Sequence, residues 1–220
     1  MSGLSTKAIT LLLALMCCIL MAAADASSIA GSESFLLAPP KENGPVVVEA
    51  RFDLYDINEI NDDRETFEFT AVLTLMWKDP RQAFDPAVVG TDEKVFQGNY
   101  QFNEVSTGWY PQVILVNEAG LYQTDGVVLR VQPDGTSTLI QMLNAAAETD
   151  FDMHRYPFDS HRLEAIFEVL GFDRDEVLLH VDSNLTDSSA NKIRVPQWTF
   201  TRVEVSVQDR SASYAGSLGV

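Results

Sequence analysis

The chain has 220 residues, with 32 acidic and 15 basic side chains and a formal net charge of −17 at pH 7. This balance argues against binding to nucleic acid or to anionic lipid, because both need basic surfaces. It suits a soluble surface, cation binding or the attraction of cationic ligands.

The first 26 residues have the pattern of a secretory signal peptide. Lys7 supplies a positive start, residues 9–21 form a short apolar run, and small residues follow at positions 22–24. A membrane anchor is the alternative, although the run is short for a bilayer. Both cysteines, Cys17 and Cys18, lie in this segment, so we expect an exported mature chain without a disulfide.

Residues 27–44 predict a flexible leader, and residues 45–220 predict one β-domain. Apolar residues alternate with polar ones from Phe67 to Leu75, as expected for a half-buried strand. An acidic hairpin loop over residues 58–64 joins this strand to the one before it. Further strands are predicted at residues 112–116, 126–131, 137–143, 163–169, 176–181 and 198–207. Many short strands and no sustained helical period favour an antiparallel β-sandwich.

The most informative segment is residues 151–159, a turn that carries Phe151, Met153, Tyr156 and Phe158. Apolar groups gain nothing in an exposed loop, so these side chains must pack against their own domain or against a partner surface. We call residues 151–159 the signature segment.

Three motifs in chain order resemble the extracellular ligand-binding domain of pentameric ligand-gated ion channels, the Cys-loop receptor superfamily, in its prokaryotic form. Trp77-Lys78-Asp79-Pro80-Arg81 is similar to a Trp-x-Asp-x-Arg motif. The run from Trp109-Tyr110-Pro111-Gln112 to Asn117 is similar to a Trp-x-Pro-Asp motif, with Gln112 in place of the acid. Tyr156-Pro157-Phe158-Asp159 matches the loop that gives the superfamily its name. The resemblance covers residues 46–214 and implies an immunoglobulin-like antiparallel β-sandwich of the nicotinic-receptor type.

The chain departs from the animal members at the signature segment. Thr149 and Leu163 stand where those members have two cysteines, so aromatic packing by Phe151, Tyr156 and Phe158 must replace the disulfide. Members of the family also continue into four membrane helices, which this sequence does not contain. A receptor fragment and a secreted protein are therefore both compatible with the sequence.

The resemblance places a ligand site between neighbouring subunits. It implies contacts from two groups of residues, one on each subunit. The first group is Val116, Leu170, Phe172 and Tyr214; the second is Val72, Thr74, Arg130 and Gln132. Plain strand packing is the alternative role for each of them. Because few aromatic rings are available for an amine, Arg130 is the candidate to bind a carboxylate instead.

The resemblance also implies two coupling loops that face the pore. One contains Asp62 and Asp63; the other contains Tyr156, Pro157, Phe158 and Asp159. Arg162 and Arg81 are the candidate partners of Asp159, because a buried carboxylate is costly unless it is paired. Alternatively, the signature segment only closes the end of the sandwich.

No cofactor is expected, although calcium is compatible with the acidic group Asp173, Asp175 and Glu176, or with the one around Asp62. Solvated loops are the simpler interpretation of both groups. His154, Asp159, Ser160 and His161 do not form a recognisable catalytic triad, so we expect no enzyme. The predicted function is ligand binding in a homopentamer that opens a pore in the plasma (inner) membrane, with this domain outside. The alternatives are a pore-less secreted ligand-binding protein and an unrelated carbohydrate-binding or adhesive sandwich.

Overall fold

The computed structural model describes residues 38–40, 44–98, 108–151, 160–181 and 193–208, and the fold belongs to the unit that begins at Pro39. Within these residues the chain forms eight strands. They are β1 (Val46–Asn61), β2 (Thr66–Lys78), β3 (Lys94–Gly98), β4 (Val113–Leu115), β5 (Glu118–Val131), β6 (Thr136–Glu148), β7 (Phe167–Val169) and β8 (Val177–Val181).

Six of the strands form one sheet, in the order β3-β5-β6-β2-β1-β8, and β4 pairs with β7 in a second, small sheet. The pairings are antiparallel except that β8 runs parallel to β1, from Val46 opposite Val177 to Ala50 opposite Val181. The predicted all-β sandwich is confirmed, with this one parallel pair in it.

Strand β2 shows how the sequence pattern sets the two faces of the large sheet. Phe67, Phe69 and every second residue up to Trp77 are buried, whereas the residues between them are half-buried or exposed. Successive side chains of a strand point to opposite faces, so one face enters the core. We call the other face the outer face.

The core lies between the two sheets and has two parts. One part surrounds Trp77 and Trp109, whose rings meet edge to face at 5.9 Å. The other surrounds Phe67 and Phe69 and includes Leu115 of the small sheet. Apolar burial of this kind contributes about 25 cal/mol per Å² and holds the layers together without a disulfide.

Turns define the two ends of the large sheet. The turn of residues 62–65 joins β1 to β2 at what we call the basal end. At the distal end, the backbone N–H of Asp79 donates to the carbonyl of Gly135 at 3.0 Å, next to a short 3₁₀ helix, Pro80–Gln82. A four-residue helix, α1 (Pro86–Val89), follows. The 13 residues of β2 separate the two ends, a distance of about 40 Å.

Some predicted strands differ from the observed ones. Residues 198–207 form no ladder within the described residues, so that prediction is wrong; partly buried residues alternate with exposed ones only up to Phe200, because Thr201 and Arg202 are both exposed. The strand predicted at residues 126–131 begins earlier, at Glu118. Residues 163–169 contribute only Phe167–Val169. Strand β3 was not predicted. It has only five residues, and its antiparallel pairing with β5 is what identifies it as a strand.

Candidate functional site

The basal end brings the acidic turn and the signature segment together. The backbone N–H of Thr149 donates to the carbonyl of Glu65 at 2.8 Å. The signature segment therefore leaves the sheet beside the turn that contains Asp62 and Asp63. Both of these aspartates are exposed, and the Asp62 carboxylate accepts a hydrogen bond from the Asp63 N–H at 3.1 Å.

We call residues 148–151 and 160–166 the entry stem and the exit stem of the signature segment. Thr149 is buried, and its hydroxyl Oγ1 donates to the Arg162 carbonyl at 3.0 Å, which joins the two stems. Phe151 adds a ring contact to His161 at 5.0 Å and another to Trp198 at 6.2 Å. These contacts hold the stems together at the positions where a disulfide would close the loop.

Asn117 connects the turn after β4 to both stems. Its side-chain Nδ2 donates to the carbonyls of Glu148 and Glu164, each at 2.7 Å, and its Oδ1 accepts from the Ile166 N–H at 2.9 Å. In the sequence, Asn117 was noted only as the end of the motif run that begins at Trp109, and no role was predicted for it. The available signal was an asparagine directly after a short apolar strand, which indicates only a turn.

Arg81, one of the two candidate partners of Asp159, lies at the distal end. Asp159 lies outside the described residues, so this pairing stays a prediction. The Arg81 guanidinium binds both oxygens of the buried Asp79 carboxylate, with Nε–Oδ1 and Nη2–Oδ2 distances of 2.8 Å. The stems lie at the other end of β2. Arg162, the second candidate, pairs with Glu204 at 3.1 Å.

The second group of predicted ligand contacts lies on one surface. Val72, Thr74 and Arg130 share the outer face, because the residues alternating with them in β2 and β5 are buried. Gln132 follows β5. Arg130 Nη1 lies 2.7 Å from Glu93 Oε2, and Gln132 Nε2 donates to Glu93 Oε1 at 2.7 Å. The carboxylate that Arg130 was predicted to bind is thus supplied by the chain itself.

The first group lies on the small sheet. Val116 follows β4 and is half-buried, and its N–H donates to the Ile166 carbonyl at 2.7 Å. Leu170 and Phe172 follow β7, and because β4 and β7 are antiparallel they lie at the other end of this sheet from Val116. Phe172 packs edge to face on Trp109 at 6.0 Å, so its ring extends the core.

Five of the predicted functional residues lie outside the described residues. They are Tyr156, Pro157, Phe158 and Asp159 of the signature segment, and Tyr214.

The acidic group after β7 forms a hydrogen-bonded turn. The Asp173 carboxylate accepts from the Asp175 N–H at 2.9 Å, and the Asp173 carbonyl accepts from the N–H groups of Glu176 and Val177. Across the part of the chain that the structure describes, no three acidic, histidine or cysteine side chains are placed to hold a metal. Calcium binding by these residues stays a prediction.

A cavity of about 260 Å³ opens on the outer face at the basal end. Strand β5 bulges there, because Ala119, Gly120 and Leu121 stand against the single residue Ala146 of β6. Glu59 and Glu68 line the cavity and are direct partners across β1 and β2. Opposed like charges are unfavourable in a sheet, so this pair costs stability unless a neighbouring group offsets it.

Two exposed carboxyl groups have lowered pKa values. Hydrogen bonds from the Thr136 N–H and hydroxyl, with a smaller contribution from Lys78, lower the pKa of Asp134 to about 2. The hydrogen bond from Arg202 lowers the pKa of Glu204, and Arg162 adds to the effect. Glu204 thereby links the segment after Trp198 to the exit stem.

The helices among the described residues are too short or too polar to cross a membrane. The family described as the neurotransmitter-gated ion-channel ligand binding domain matches residues 34–217. The chain is 33% identical to the proton-gated ion channel of Gloeobacter violaceus over 144 residues, which are 66% of this chain and 38% of that relative.

Two animal relatives are more distant. The pH-sensitive chloride channel 2 of Anopheles gambiae is 26% identical over 62% of this chain and 22% of its own length. The gamma-aminobutyric acid receptor subunit rho-1 of Mus musculus is 28% identical over 62% of this chain and 28% of its own length. The matched part is well under half of each of these three relatives.

Proposed function

We propose a function from one premise: the chain belongs to the neurotransmitter-gated ion-channel ligand-binding domain family. Members of this family form pentameric channels that bind small molecules, and they are not enzymes. The domain accordingly belongs on the extracellular side of a membrane.

Within that family, this chain forms a homopentamer and binds its ligand between neighbouring subunits. The supporting observation is that the predicted contacts fall on two surfaces of one domain. Val116 and Leu170 are next to the small sheet, whereas Thr74 and Arg130 lie on the outer face of the large sheet. A site that uses both surfaces is complete only when a second subunit supplies the other half.

Ligand binding opens a membrane pore through the basal end of the domain. The observation that carries this proposal is the hydrogen bond from Thr149 to Glu65, which sets the acidic turn beside the stems of the signature segment. Asp62 and Asp63 in the turn, and residues 156–159 in the signature segment, would make the contacts with the pore. The ligand must bind the open form more tightly, because only differential affinity shifts the equilibrium.

A ligand carboxylate competes with Glu93 for Arg130. Glu93 accepts one hydrogen bond from Arg130 Nη1 and one from Gln132 Nε2, each at 2.7 Å. The replacement Glu93→Gln removes this competing charge. It should therefore raise the affinity for a carboxylate ligand and leave the affinity for a purely cationic ligand unchanged.

Protons are a second candidate stimulus, favoured by the direct opposition of Glu59 and Glu68. Protonation of one carboxyl would relieve the repulsion beside the basal turn. The relatives from Gloeobacter violaceus and Anopheles gambiae are named for gating by protons and for pH sensitivity. Glu68→Gln removes one of the two opposed charges in advance, so it should remove most of the acid response of the current if this pair carries it. Glu49→Gln, opposite Met76, is the matched control.

The decisive experiment joins this domain to the pore domain of the Gloeobacter violaceus relative and records currents from cells that carry the chimera. Currents that respond to ligand or acid support the proposed function. A chimera that reaches the cell surface as a pentamer but never conducts contradicts it. The alternative, a pore-less secreted ligand-binding protein, predicts a stop codon directly after Val220 and a soluble pentamer in native mass spectrometry.

A further inference from the structure

We propose that Asn117 is a positioning residue that couples the predicted ligand contact at Val116 to both stems of the signature segment. The coupling role rests on the proposed function, whereas the mechanical link itself is a property of this domain alone. The link depends on one side chain that contacts both stems from the turn after β4.

The hydrogen bonds of Asn117 use both donors and the acceptor oxygen of its carboxamide. Both Nδ2 protons go to carbonyl oxygens, of Glu148 and of Glu164, and Oδ1 accepts from the Ile166 N–H. The partners fix the orientation of the amide, because a flipped group would place its oxygen against two carbonyls. An aspartate could accept from Ile166 but could not donate to either carbonyl.

The backbone around Asn117 strengthens the same connection. The Asn117 carbonyl accepts from the Glu148 N–H at 2.8 Å, and the Val116 N–H donates to the Ile166 carbonyl at 2.7 Å. Glu148 immediately precedes Thr149, and Glu164 lies two residues after Arg162. A displacement of Val116 is therefore passed at once to the entry stem and to the exit stem.

Thr149 and the ring of Phe151 join the stems to each other, but Asn117 joins them to the turn that follows β4. Because Thr149 of the entry stem donates a hydrogen bond to Glu65, movement of the Asn117 turn is transmitted to the basal end.

The first test compares Asn117→Asp with the matched control Asn58→Asp. Asn58 lies in strand β1 of the large sheet, and its side-chain Nδ2 donates a hydrogen bond to the Thr70 hydroxyl at 3.1 Å. Both changes are isosteric and add the same charge. Amide hydrogen exchange of the full 220-residue chain is measured at both stems and in the centre of β2 and β6.

Asn117→Asp should speed exchange at Glu148 and Thr149 at least tenfold, with less than a twofold change at Leu73 and Leu139. The Ile166 N–H should stay protected, because an aspartate Oδ1 still accepts from it. Asn58→Asp should leave the stems unchanged. Equal acceleration across the whole sheet, or no acceleration at the stems, would overturn the proposal.

A second test separates coupling from a merely structural role. Val116→Ala is introduced into the native chain and into the Asn117→Asp chain, and exchange at the entry stem is followed in both. If Asn117 carries the link, an effect of Val116→Ala of about fivefold in the native chain falls below twofold in the variant. The same effect in both backgrounds contradicts the proposal.

A third measurement needs no substitution, in case the variants fold poorly. In the native chain both Nδ2 protons of Asn117 should exchange with water more than tenfold slower than those of exposed Asn58. Equally fast exchange of the two amides would show that the link does not persist in solution. None of these results depends on the chain opening a pore, so they stand apart from the current recordings.

Discussion

The backbone N–H of Thr149 donates to the carbonyl of Glu65 at 2.8 Å, and this bond joins the start of the signature segment to the basal turn. Glu65 has a φ of 54° and lies in the left-handed region, which is uncommon for a residue with a side chain. The bond from Thr149 therefore goes to a residue whose unfavourable backbone conformation must be maintained by the rest of the turn.

The stems of the signature segment should accept the disulfide that the family's animal members have. In the double variant Thr149→Cys and Leu163→Cys, the closed loop contains 15 residues, and a cross-link of this size stabilises by about 3 kcal/mol. Urea unfolding of the oxidised and the reduced variant measures the difference. If the cysteines do not oxidise, or if oxidation lowers stability, the stems are not positioned as we describe.

The Asp79–Arg81 ion pair at the distal end should contribute far more to the free energy of unfolding than the exposed Lys78–Asp134 pair. Asp79→Ala leaves the Arg81 guanidinium without its bidentate partner, and loss of one member of a buried pair costs about 3–5 kcal/mol. Lys78→Gln breaks the exposed pair with Asp134, and its cost should be much smaller because solvent screens that pair. Chemical denaturation of both variants checks this ranking, and similar losses would contradict it.

Two glycines with positive φ give a matched pair of substitutions. A Cβ on Gly135 would lie 2.3 Å from the Asp79 carbonyl oxygen, whereas a Cβ on Gly120 would meet nothing within 4 Å. Gly120→Ala should cost about 1 kcal/mol, from backbone conformation alone. Gly135→Ala should cost at least about 2 kcal/mol more, because backbone atoms must move. Thermal unfolding of both variants tests the difference.

Stability should fall in acid partly through Asp134. Its pKa is about 2 in the folded chain, below its ordinary value of 3.8. A carboxyl whose pKa is lowered in the folded chain stabilises the fold at pH values above its unfolded-state pKa, so this contribution is lost as the pH falls from about 4 to about 2.

Asp134→Asn should make stability less dependent on pH in that window. Lys78→Gln should preserve most of the dependence, because the Thr136 hydrogen bonds are the larger cause. Urea unfolding at pH 5, 3 and 2 measures both; an unchanged slope in Asp134→Asn would disprove the assignment.

The alternation in β2 was sufficient to predict its buried face, because burial on one side of a strand needs only a two-residue period. The same pattern failed for residues 198–207. Two apolar side chains of this segment do pack against the core, Phe200 and Val203, but their three-residue spacing is not that of a strand. A strand, however, also needs a neighbour to complete its ladder, and no period in one segment specifies that neighbour.

The candidate site was predictable where a motif carried it and hidden where distant segments meet. The Asp79-to-Arg81 motif was recognised from the sequence, but its bidentate geometry and its distance from the signature segment were not. Nothing in the sequence indicated that Glu93 would pair with Arg130, which is 37 residues away.

By itself, the sequence determined the all-β class, the family and the buried face of β2, because these depend on local periodicity and short motifs. Only the tertiary structure decided which groups meet: Asn117 with partners 31, 47 and 49 residues away, Glu93 with Arg130, and Thr149 with Glu65. Hydrogen-bond partners are selected by distances of about 3 Å between atoms. Chain segments reach such distances only after the two sheets have packed.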